Sequence, residues 1–270
     1  MKLKLVFLSL IVFLNCTLQA DDGVIVITCA TSEIGGSTAR LLAQDHDLLL
    51  LGRNKEKLEA LQKELATTYS HSYTSCELDY SKSASVDAYA SMIASKKVSG
   101  MLVITPRPQL DLLDTETAWL TMLQSCFTGP SQVLKATLAS MGSKGKIVVI
   151  SGITSVQVSP EYGAASVLRR MWVAYTKSLS HLLGPKGIRI NCLSPGVIMT
   201  EHHRARIQKN AEKNGRSFEQ EYALEVADTP LKRYAELIDV NKSIRFLLSD
   251  DSQHITGVNL VIDGGVTKAY

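Results

Sequence analysis

The chain has 270 residues, of which 45% are hydrophobic and 20% are charged, enough for one domain with a well-buried core and too few to favour three. The formal net charge of +3 is spread along the chain without a basic run, which argues against a nucleic-acid partner. No internal repeat or low-complexity tract is present.

The first twenty residues, 1–20, have the layout of a secretory signal peptide. Two lysines precede the apolar run 5–14, and a more polar stretch leads to a plausible cleavage site after Ala20. This run is shorter than the roughly 20 apolar residues that span a bilayer. We therefore expect cleavage and export to the periplasm or the exterior, with an uncleaved membrane anchor through residues 5–20 as the alternative. Cys16 leaves a lipoprotein as a third possibility, although no small residue precedes it.

From residue 23 onward, short apolar strands alternate with amphipathic helices. The predicted strands are 23–28, 47–52, 72–79, 100–105, 145–151, 188–194 and 259–263, and the predicted helices are 34–45, 54–67, 84–96, 115–141, 161–183 and 236–248. This pattern predicts an α/β fold with a Rossmann-like, doubly wound parallel sheet in a single domain, residues 21–270. Ligands of such folds bind at the edge where the C-terminal strand ends meet.

Neither the cysteines nor the histidines have metal-ligand spacing, so no metal site is predicted. The cysteines beyond the leader are expected inside predicted strands or helices as small buried hydrophobic residues. They are Cys29, Cys76, Cys126 and Cys192. The adjacent His202 and His203 are expected in a solvated loop.

Several motifs occur in an order and spacing that are specific when taken together. The second predicted strand is followed by "LGRNKEKLEAL" and the third by "ELDYS"; the sixth is surrounded by "GPKGIRINCLSPGVIMT", and the chain ends with "TPLKRYAELIDVNKSIRFLLSDDSQHITGVNLVIDGG". With these motifs, residues 23–266 resemble the short-chain dehydrogenase/reductase family. The resemblance implies a nicotinamide dinucleotide cofactor and an oxidoreductase acting on a small molecule.

The first turn departs from that family. Its Thr-Gly-x-x-x-Gly-Ile-Gly motif lets the backbone approach the cofactor pyrophosphate at a helix N-terminus. Here Cys29 and Glu33 replace two of the glycines, and Gly35 keeps the third. Glu33 either sets a negative charge against the pyrophosphate or caps the helix of a protein that no longer holds phosphate. The sequence leaves both alternatives open.

Other cofactor positions are retained by resemblance. Arg53 stands where NADP-preferring members pair the 2′-phosphate, Asp79 where the adenine amine is bound, and residues 195–200 where the nicotinamide carboxamide rests. After the fourth strand, residues 104–107 replace the family's Asn-Asn-Ala-Gly and introduce a proline. The resemblance implies NADP(H), with cofactor-binding positions at Thr28, Thr31, Ser32, Ile34, Gly35, Arg53, Asn54, Asp79, Tyr80, Thr105, Pro195, Gly196, Ile198 and Thr200.

All four catalytic positions of the family are substituted. The asparagine, serine, tyrosine and lysine positions carry Cys126, Gly152, Ala165 and Arg169, respectively. Carbonyl reduction needs a proton donor and a hydroxyl that positions the oxygen, and alanine and glycine supply neither. Arginine keeps the positive charge of the lysine but effectively never deprotonates.

A replacement for the tyrosine lies nearby. Tyr162 precedes Arg169 by seven residues, two helical turns, so the two share one helix face. This spacing is similar to the Tyr-x6-Lys of the enoyl-carrier-protein reductase branch of the family. We predict Tyr162 and Arg169 as catalytic residues, and Ser151 and Ser155 are candidates for the lost serine.

Two functions remain open. The first is an NADP(H)-linked oxidoreductase that acts on an unknown carbonyl or enoyl substrate through this atypical site. The second is a catalytically silent protein of the same fold that binds a nucleotide or a partner; the missing catalytic set and the export signal favour it as a mechanism. The segment 201–228 is polar, helix-prone and in the family's lid position, and it names no substrate. The helices at 115–141 and 161–183 imply a homo-oligomer, a dimer or a tetramer, by resemblance.

Overall fold

The computed structural model describes residues 23–107, 111–157 and 162–269, and within these ranges one sheet of seven strands forms the centre of the fold. The strands are β1 (Val24–Ile27), β2 (Leu48–Gly52), β3 (Tyr73–Glu77), β4 (Val98–Val103), β5 (Met141–Ile150), β6 (Arg189–Pro195) and β7 (Asn259–Ile262). All neighbours pair in parallel, in the order β3-β2-β1-β4-β5-β6-β7. The strand order reverses between β1 and β4, which opens a crevice at their C-terminal ends. The predicted doubly wound α/β fold is confirmed.

Helices pack on both faces of this sheet. The nine α-helices of the described residues are α1 (Glu33–Leu42), α2 (Lys55–Thr68), α3 (Ser83–Ile93), α4 (Glu116–Leu123), α5 (Gly129–Ala139), α6 (Gly163–Leu183), α7 (Glu201–Lys213), α8 (Phe218–Glu225) and α9 (Leu237–Leu248). Of these, α7 and α8 pack mainly against each other. In β1, Ile25 and Ile27 pack with α1, α2 and α9, whereas Val26 packs with α3, α5 and α6 on the opposite face. Because successive strand residues face opposite sides and both sides are buried, the interior strands β1 and β2 are apolar along their length.

The prediction of one continuous helix over residues 115–141 is wrong. A π-helical turn, Gln124–Thr128, separates α4 from α5. Pro130 has no N–H to donate to the carbonyl of Cys126, so the regular hydrogen-bond ladder is interrupted there. The indole Nε1 of Trp172 in α6 donates to that carbonyl at 3.0 Å instead. A contact from a distant part of the chain thus satisfies the group that the proline leaves free.

Other element boundaries also differ from the predictions. Cys29 lies in the turn after β1, where its φ of +47° ends the extended conformation. His202 and His203 lie in the first turn of α7 because Thr200 starts the helix before them, its Oγ1 accepting the N–H of His203 at 3.3 Å. The strand β5 begins at Met141, earlier than predicted.

The predicted leader, residues 1–20, lies outside the described residues, and so does its alternative as an anchor through residues 5–20. In the part of the chain that is described, no helix is both long and apolar enough to cross a membrane. The cysteines of that part are free thiols. Nowhere among the same residues do three or more His, Cys, Asp or Glu side chains converge as a metal site requires.

Candidate active site

A cleft of about 750 Å³ opens at the C-terminal edge of the sheet. The loops after β1 to β6 contribute to it, which is the usual place for a ligand in an open α/β fold. The predicted site residues that line the cleft are Thr31, Ser32, Ile34, Arg53, Asn54, Asp79, Tyr80, Thr105, Tyr162, Arg169, Pro195, Gly196, Ile198 and Thr200. The described lining does not include Thr28 or Gly35, which were also predicted to bind the cofactor.

Thr28 and Gly35 instead shape the turn between β1 and α1. Thr28 Oγ1 donates to the carbonyl of Ile104 at 2.9 Å and accepts the Ile104 N–H at 2.7 Å, which ties β1 to the loop after β4. A Cβ at Gly35 would collide with the carbonyl oxygen of Cys29 and lie 2.9 Å from the Cα of Ala30. Cys29 itself adopts the left-handed conformation to which glycine is suited. The turn therefore has a glycine-like backbone conformation at Cys29 although two of the family's glycines are substituted.

Glu33 connects the N-termini of two helices at this turn. Ser32 caps α1, its Oγ accepting the N–H of Gly35 at 3.1 Å. The carboxylate of Glu33 turns to another helix, and its Oε2 accepts the N–H of Glu201, the first residue of α7, at 3.2 Å. Both helix N-termini carry partial positive charge, which stabilises a carboxylate between them. An anion of the chain itself thus lies at the helix end for which the resemblance implies a pyrophosphate.

The loops after β2 and β3 form the end of the cleft that was predicted for the adenosine, and together with the turn after β1 we name it the adenosine end. Asn54 caps α2, and Arg53 beside it is exposed. Asp79 accepts hydrogen bonds from the N–H and the hydroxyl of Ser81 at 3.0 and 2.7 Å. Burial alone would raise the pKa of Asp79, but these bonds and the neighbouring cations hold it below its usual value. The carboxylate is ionised and available as an acceptor, while Tyr80 is buried in the cleft wall.

The loop after β6 forms the part of the cleft that was predicted for the nicotinamide. A Cβ at Gly196 would lie 2.9 Å from the Cα of Asp263, so the missing side chain lets this loop run close to the end of β7. Ile198 pairs with Ala235 in an isolated parallel bridge. Two backbone contacts therefore hold the nicotinamide loop in place.

Arg169 and Gly152, which occupy the family's lysine and serine positions, fit each other in space. Arg169 extends from α6, and its Nη1 donates to Thr154 Oγ1 at 2.8 Å. A Cβ at Gly152 would lie 2.8 Å from both the Nε and the Cζ of Arg169. The guanidinium group thus fills the space that a serine side chain would need, and the two substitutions are complementary.

Tyr162 lies directly before α6 at the same end of the cleft, which we name the reacting end. It comprises Tyr162, Arg169, Gly152 and Arg107. Arg107 follows β4, and its guanidinium carbon lies 5.5 Å from the centroid of the Tyr162 ring, in a cation–π contact. Burial and, second, the charge of Arg107 lower the pKa of Arg169, which still remains protonated at neutral pH. The structure brings both predicted catalytic residues together with a second cation.

The remaining substituted positions do not reach the cleft. Ala165 and Cys126 are 5% and 3% exposed and are absent from its described lining. Ser155 Oγ lies 3.1 Å from Ser194 Oγ in the interior, and it does not line the cleft either. Ser151 does line it, although its hydroxyl donates to a backbone carbonyl of α6 at 3.2 Å. Of the two candidate serines, Ser151 alone is placed to meet a substrate.

The cleft lining also includes residues that were not predicted, among them the basic or titratable side chains of Lys57, Arg107, His202 and His203. The one sequence signal for Arg107 is its position directly after a strand, where the family has a glycine. His203 Nδ1 lies 3.0 Å from Thr200 Oγ1. Burial, followed by nearby positive charges, lowers the pKa of His203, which favours the neutral imidazole.

Sequence comparisons extend over nearly the whole chain. The family model described as Enoyl-(Acyl carrier protein) reductase matches residues 29–267. The Short-chain dehydrogenase/reductase aba4 of Botryotinia fuckeliana is 28% identical over 251 residues, which cover 90% of this chain and 95% of that protein. The human Dehydrogenase/reductase SDR family member 4 is 27% identical over 252 residues, covering 90% and 86%.

Solved structures share the architecture. The NADPH-bound short chain oxidoreductase from Pseudomonas aeruginosa PAO1, described as containing an atypical catalytic center, has a TM-score of 0.81 at 23% identity and covers 92% of this chain and 98% of its own. YwfH, an NADPH-dependent reductase involved in bacilysin biosynthesis, has a TM-score of 0.82 at 20% identity, covering 92% and 100%. Likeness at these identities shows a common fold.

Proposed function

This chain belongs to the short-chain dehydrogenase/reductase family, and we propose that it is an NADP(H)-linked oxidoreductase that reduces a carbonyl or enoyl group with Tyr162 as the proton donor. The observation that carries the proposal is the shared cleft: Tyr162 and Arg169 line one end of it, and Arg53 and Asp79 line the other. A proton donor, a fixed cation and a nucleotide-sized groove are what such a reduction requires.

The residues of the cleft fit a phosphorylated dinucleotide. Arg53 offers an exposed cation for a 2′-phosphate, Asp79 an acceptor for an amine, and the start of α1 a set of N–H donors for phosphate. Glu33 is exposed and its side chain makes one hydrogen bond to the described residues, so rotation of the side chain clears the helix end. When bound, NADPH supplies the hydride.

The chain's own residues supply the proton and the electrostatic environment. Once the substrate carbon has gained a hydride, the proton of the Tyr162 hydroxyl completes the alcohol, or the saturated product of an enoyl substrate. Arg107 and Arg169 place positive charge beside the phenolate that remains. Neither arginine gives up a proton, so solvent must reprotonate Tyr162.

The test is Tyr162→Phe, assayed as NADPH oxidation with ketones, aldehydes and enoyl thioesters. We expect kcat to fall at least about 100-fold, because general acid catalysis typically contributes that much. Tyr69→Phe is the matched control, since Tyr69 packs against the core away from the described cleft lining. The proposal would be contradicted if the two variants unfolded at the same temperature and Tyr162→Phe kept the turnover of the wild type.

A silent binding protein is the second candidate, and the substitutions at Gly152 and Ala165 favour it. It predicts saturable NADPH binding without oxidation of NADPH by any of the substrate classes above. Calorimetric titration of NADPH, followed by the turnover assay on the same sample, separates the two functions. Binding together with turnover excludes the silent protein.

Assembly and location are proposed on separate grounds. Leu120 of α4 and Val167 of α6 are 60% and 40% exposed apolar side chains on the two helices that the resemblance implies for the interface, where a homodimer or tetramer would bury them. Leu120→Glu should then lower the mass measured by light scattering. Export is proposed from residues 1–20, and N-terminal sequencing of the protein from fractionated cells tests cleavage after Ala20.

A further inference from the structure

Two cations at the reacting end have no carboxylate partner among the described residues. No Asp or Glu of those ranges lies within 4.0 Å of the guanidinium of Arg107 or Arg169. Five other arginines pair with a carboxylate at 2.5–2.9 Å: Arg40, Arg206, Arg216, Arg233 and Arg245. Arg169 is half-buried, where an unpaired guanidinium is costly unless a ligand supplies the counter-charge, whereas Arg107 is exposed.

The donors of Arg169 are largely unused. A guanidinium has five N–H donors, and within the described residues the side chain of Arg169 makes one hydrogen bond, to Thr154. Contact with Gly152 fixes the group from one side and leaves the cleft as the side from which an acceptor can approach. The lowered pKa of Arg169 agrees with a buried cation close to Arg107.

The described lining of the cleft contains two acidic residues, and both already have partners. Glu33 bonds to the N-terminus of α7, and Asp79 bonds to Ser81 and pairs with Lys82 at 3.7 Å. The adenosine end therefore carries both signs of charge, whereas the reacting end is cationic. No described residue supplies a counter-charge at that end, which therefore suits an anionic group of the substrate.

We propose that Arg107 and Arg169 bind a carboxylate of the substrate, which makes the substrate an oxo acid or an α,β-unsaturated acid. The inference rests on the proposed function, since it names the substrate class of the same site. Guanidinium forks match the planar carboxylate with paired hydrogen bonds. Because Arg107 lies against the ring of the proton donor Tyr162, the carboxylate sits within a few bonds of the reacting carbon.

The test compares three acids with their methyl esters: acetoacetate, 4-oxopentanoate and crotonate. Each is titrated calorimetrically into the full chain, at constant ionic strength, with and without NADP⁺. We expect at least one acid to bind about tenfold or more tightly than its ester, the size of one hydrogen bond to a charged group. Arg107→Gln and Arg169→Gln should each remove that preference.

Arg170→Gln is the matched control, because Arg170 is exposed on α6, donates to the carbonyl of Val156 at 3.2 Å and is not part of the described cleft lining. It should keep the preference for the acid. No preference in any pair, or a preference that survives Arg107→Gln, overturns the inference; Arg107 is exposed, so its replacement leaves the fold intact.

The outcomes separate this inference from the proposed function. Tight binding of an acid without NADPH oxidation supports the carboxylate site and overturns the reductase. NADPH oxidation with equal kcat/KM for acid and ester supports the reductase and overturns the carboxylate site.

Discussion

The two ends of the cleft depart from the family pattern in different ways. At the adenosine end, Cys29 and Glu33 replace glycines, and Cys29 adopts a φ of +47°, the left-handed conformation that glycine favours. At the reacting end, the guanidinium of Arg169 takes the space above Gly152, and Arg107 covers Tyr162. The adenosine end thus keeps a glycine-like backbone conformation although the residues differ, whereas the reacting end presents a different set of side chains.

The difference shows that a missing motif residue has no fixed meaning. A glycine needed for backbone conformation can be replaced at a modest cost if the new residue tolerates the same dihedral angles. A catalytic side chain cannot be replaced without new chemistry. A family motif therefore predicts the backbone that surrounds the cleft better than it predicts the reaction that takes place there.

The largest stability effect is expected when the family's serine is restored alone. Gly152→Ser places a Cβ 2.8 Å from the Cζ of Arg169, so the guanidinium must move away and lose its hydrogen bond to Thr154, a loss of about 1.5–3 kcal/mol of unfolding free energy for a bond from a charged group. The double variant Gly152→Ser/Arg169→Lys should regain most of that loss, because lysine lacks the planar group that clashes. Urea unfolding of the wild type and the variants measures the coupling.

Gly142→Ser controls for the serine itself. A Cβ at Gly142 meets nothing within 4 Å, so the free energy of unfolding should change little there. If Gly152→Ser is as harmless as the control, or if the lysine gives no recovery, the reacting end was not rebuilt as a unit and the contrast between the two ends fails.

Much of the sheet and of the loop positions around the cleft was predictable from the sequence. Apolar runs bounded by amphipathic helices indicate a parallel sheet, and the motifs set its order along the chain. The positions of Arg53, Asp79 and Pro195 at one edge follow from that topology, because the loops leave the sheet there whatever residues they carry. Tyr162 and Arg169 were paired from helical spacing, and both line the cleft.

The rest depends on contacts between distant residues. The break at Gln124–Thr128 combines a local signal, Pro130, with a hydrogen bond from Trp172. The fit of Arg169 onto Gly152 and the bond from Glu201 to Glu33 appear in three dimensions only. Periodicity describes one element at a time, so contacts of this kind lie beyond it.

The thiol of Cys29 gives a smaller effect, confined to alkaline pH. Burial, partly offset by the positive charge of Arg53, raises the pKa of Cys29 to about 11 from 9.0. Below pH 9 the thiol is protonated in both the folded and the unfolded chain; between pH 9 and 11 the unfolded chain releases the proton first, so the folded state loses about 2 kcal/mol. Cys29→Ala should abolish that part of the decline.

The measurement is the unfolding free energy of both proteins from pH 8 to 11, together with iodoacetamide labelling at pH 8. Up to pH 9 we expect the unfolding free energies of the two proteins to change in parallel. We also expect slow labelling of Cys29, as for an unreactive thiol that serves the fold alone. Fast labelling at pH 8 would instead indicate a reactive thiol. Both ends of the cleft would then carry a reactive side chain, and the two ends would no longer differ in this respect.

The smallest effect concerns Glu33. Glu33→Gln keeps the size of the side chain and removes its charge beside the start of α1, so NADPH should bind several-fold more tightly at low salt, about 1 kcal/mol for an exposed charge. Glu33→Gly should act in the same direction, because it also removes the bulk. Screening predicts that the gain shrinks in 0.5 M NaCl, where the Debye length is only about 4 Å.

Glu116→Gln is the control, since Glu116 occupies the first turn of α4 and does not belong to the described cleft lining. Its affinity for NADPH should match that of the wild type at every salt concentration. If Glu33→Gln binds NADPH no more tightly than this control, phosphate does not lie at the start of α1. The backbone shape retained around Cys29 and Gly35 would then serve the fold alone, and both ends of the cleft would have left the family's use of the site.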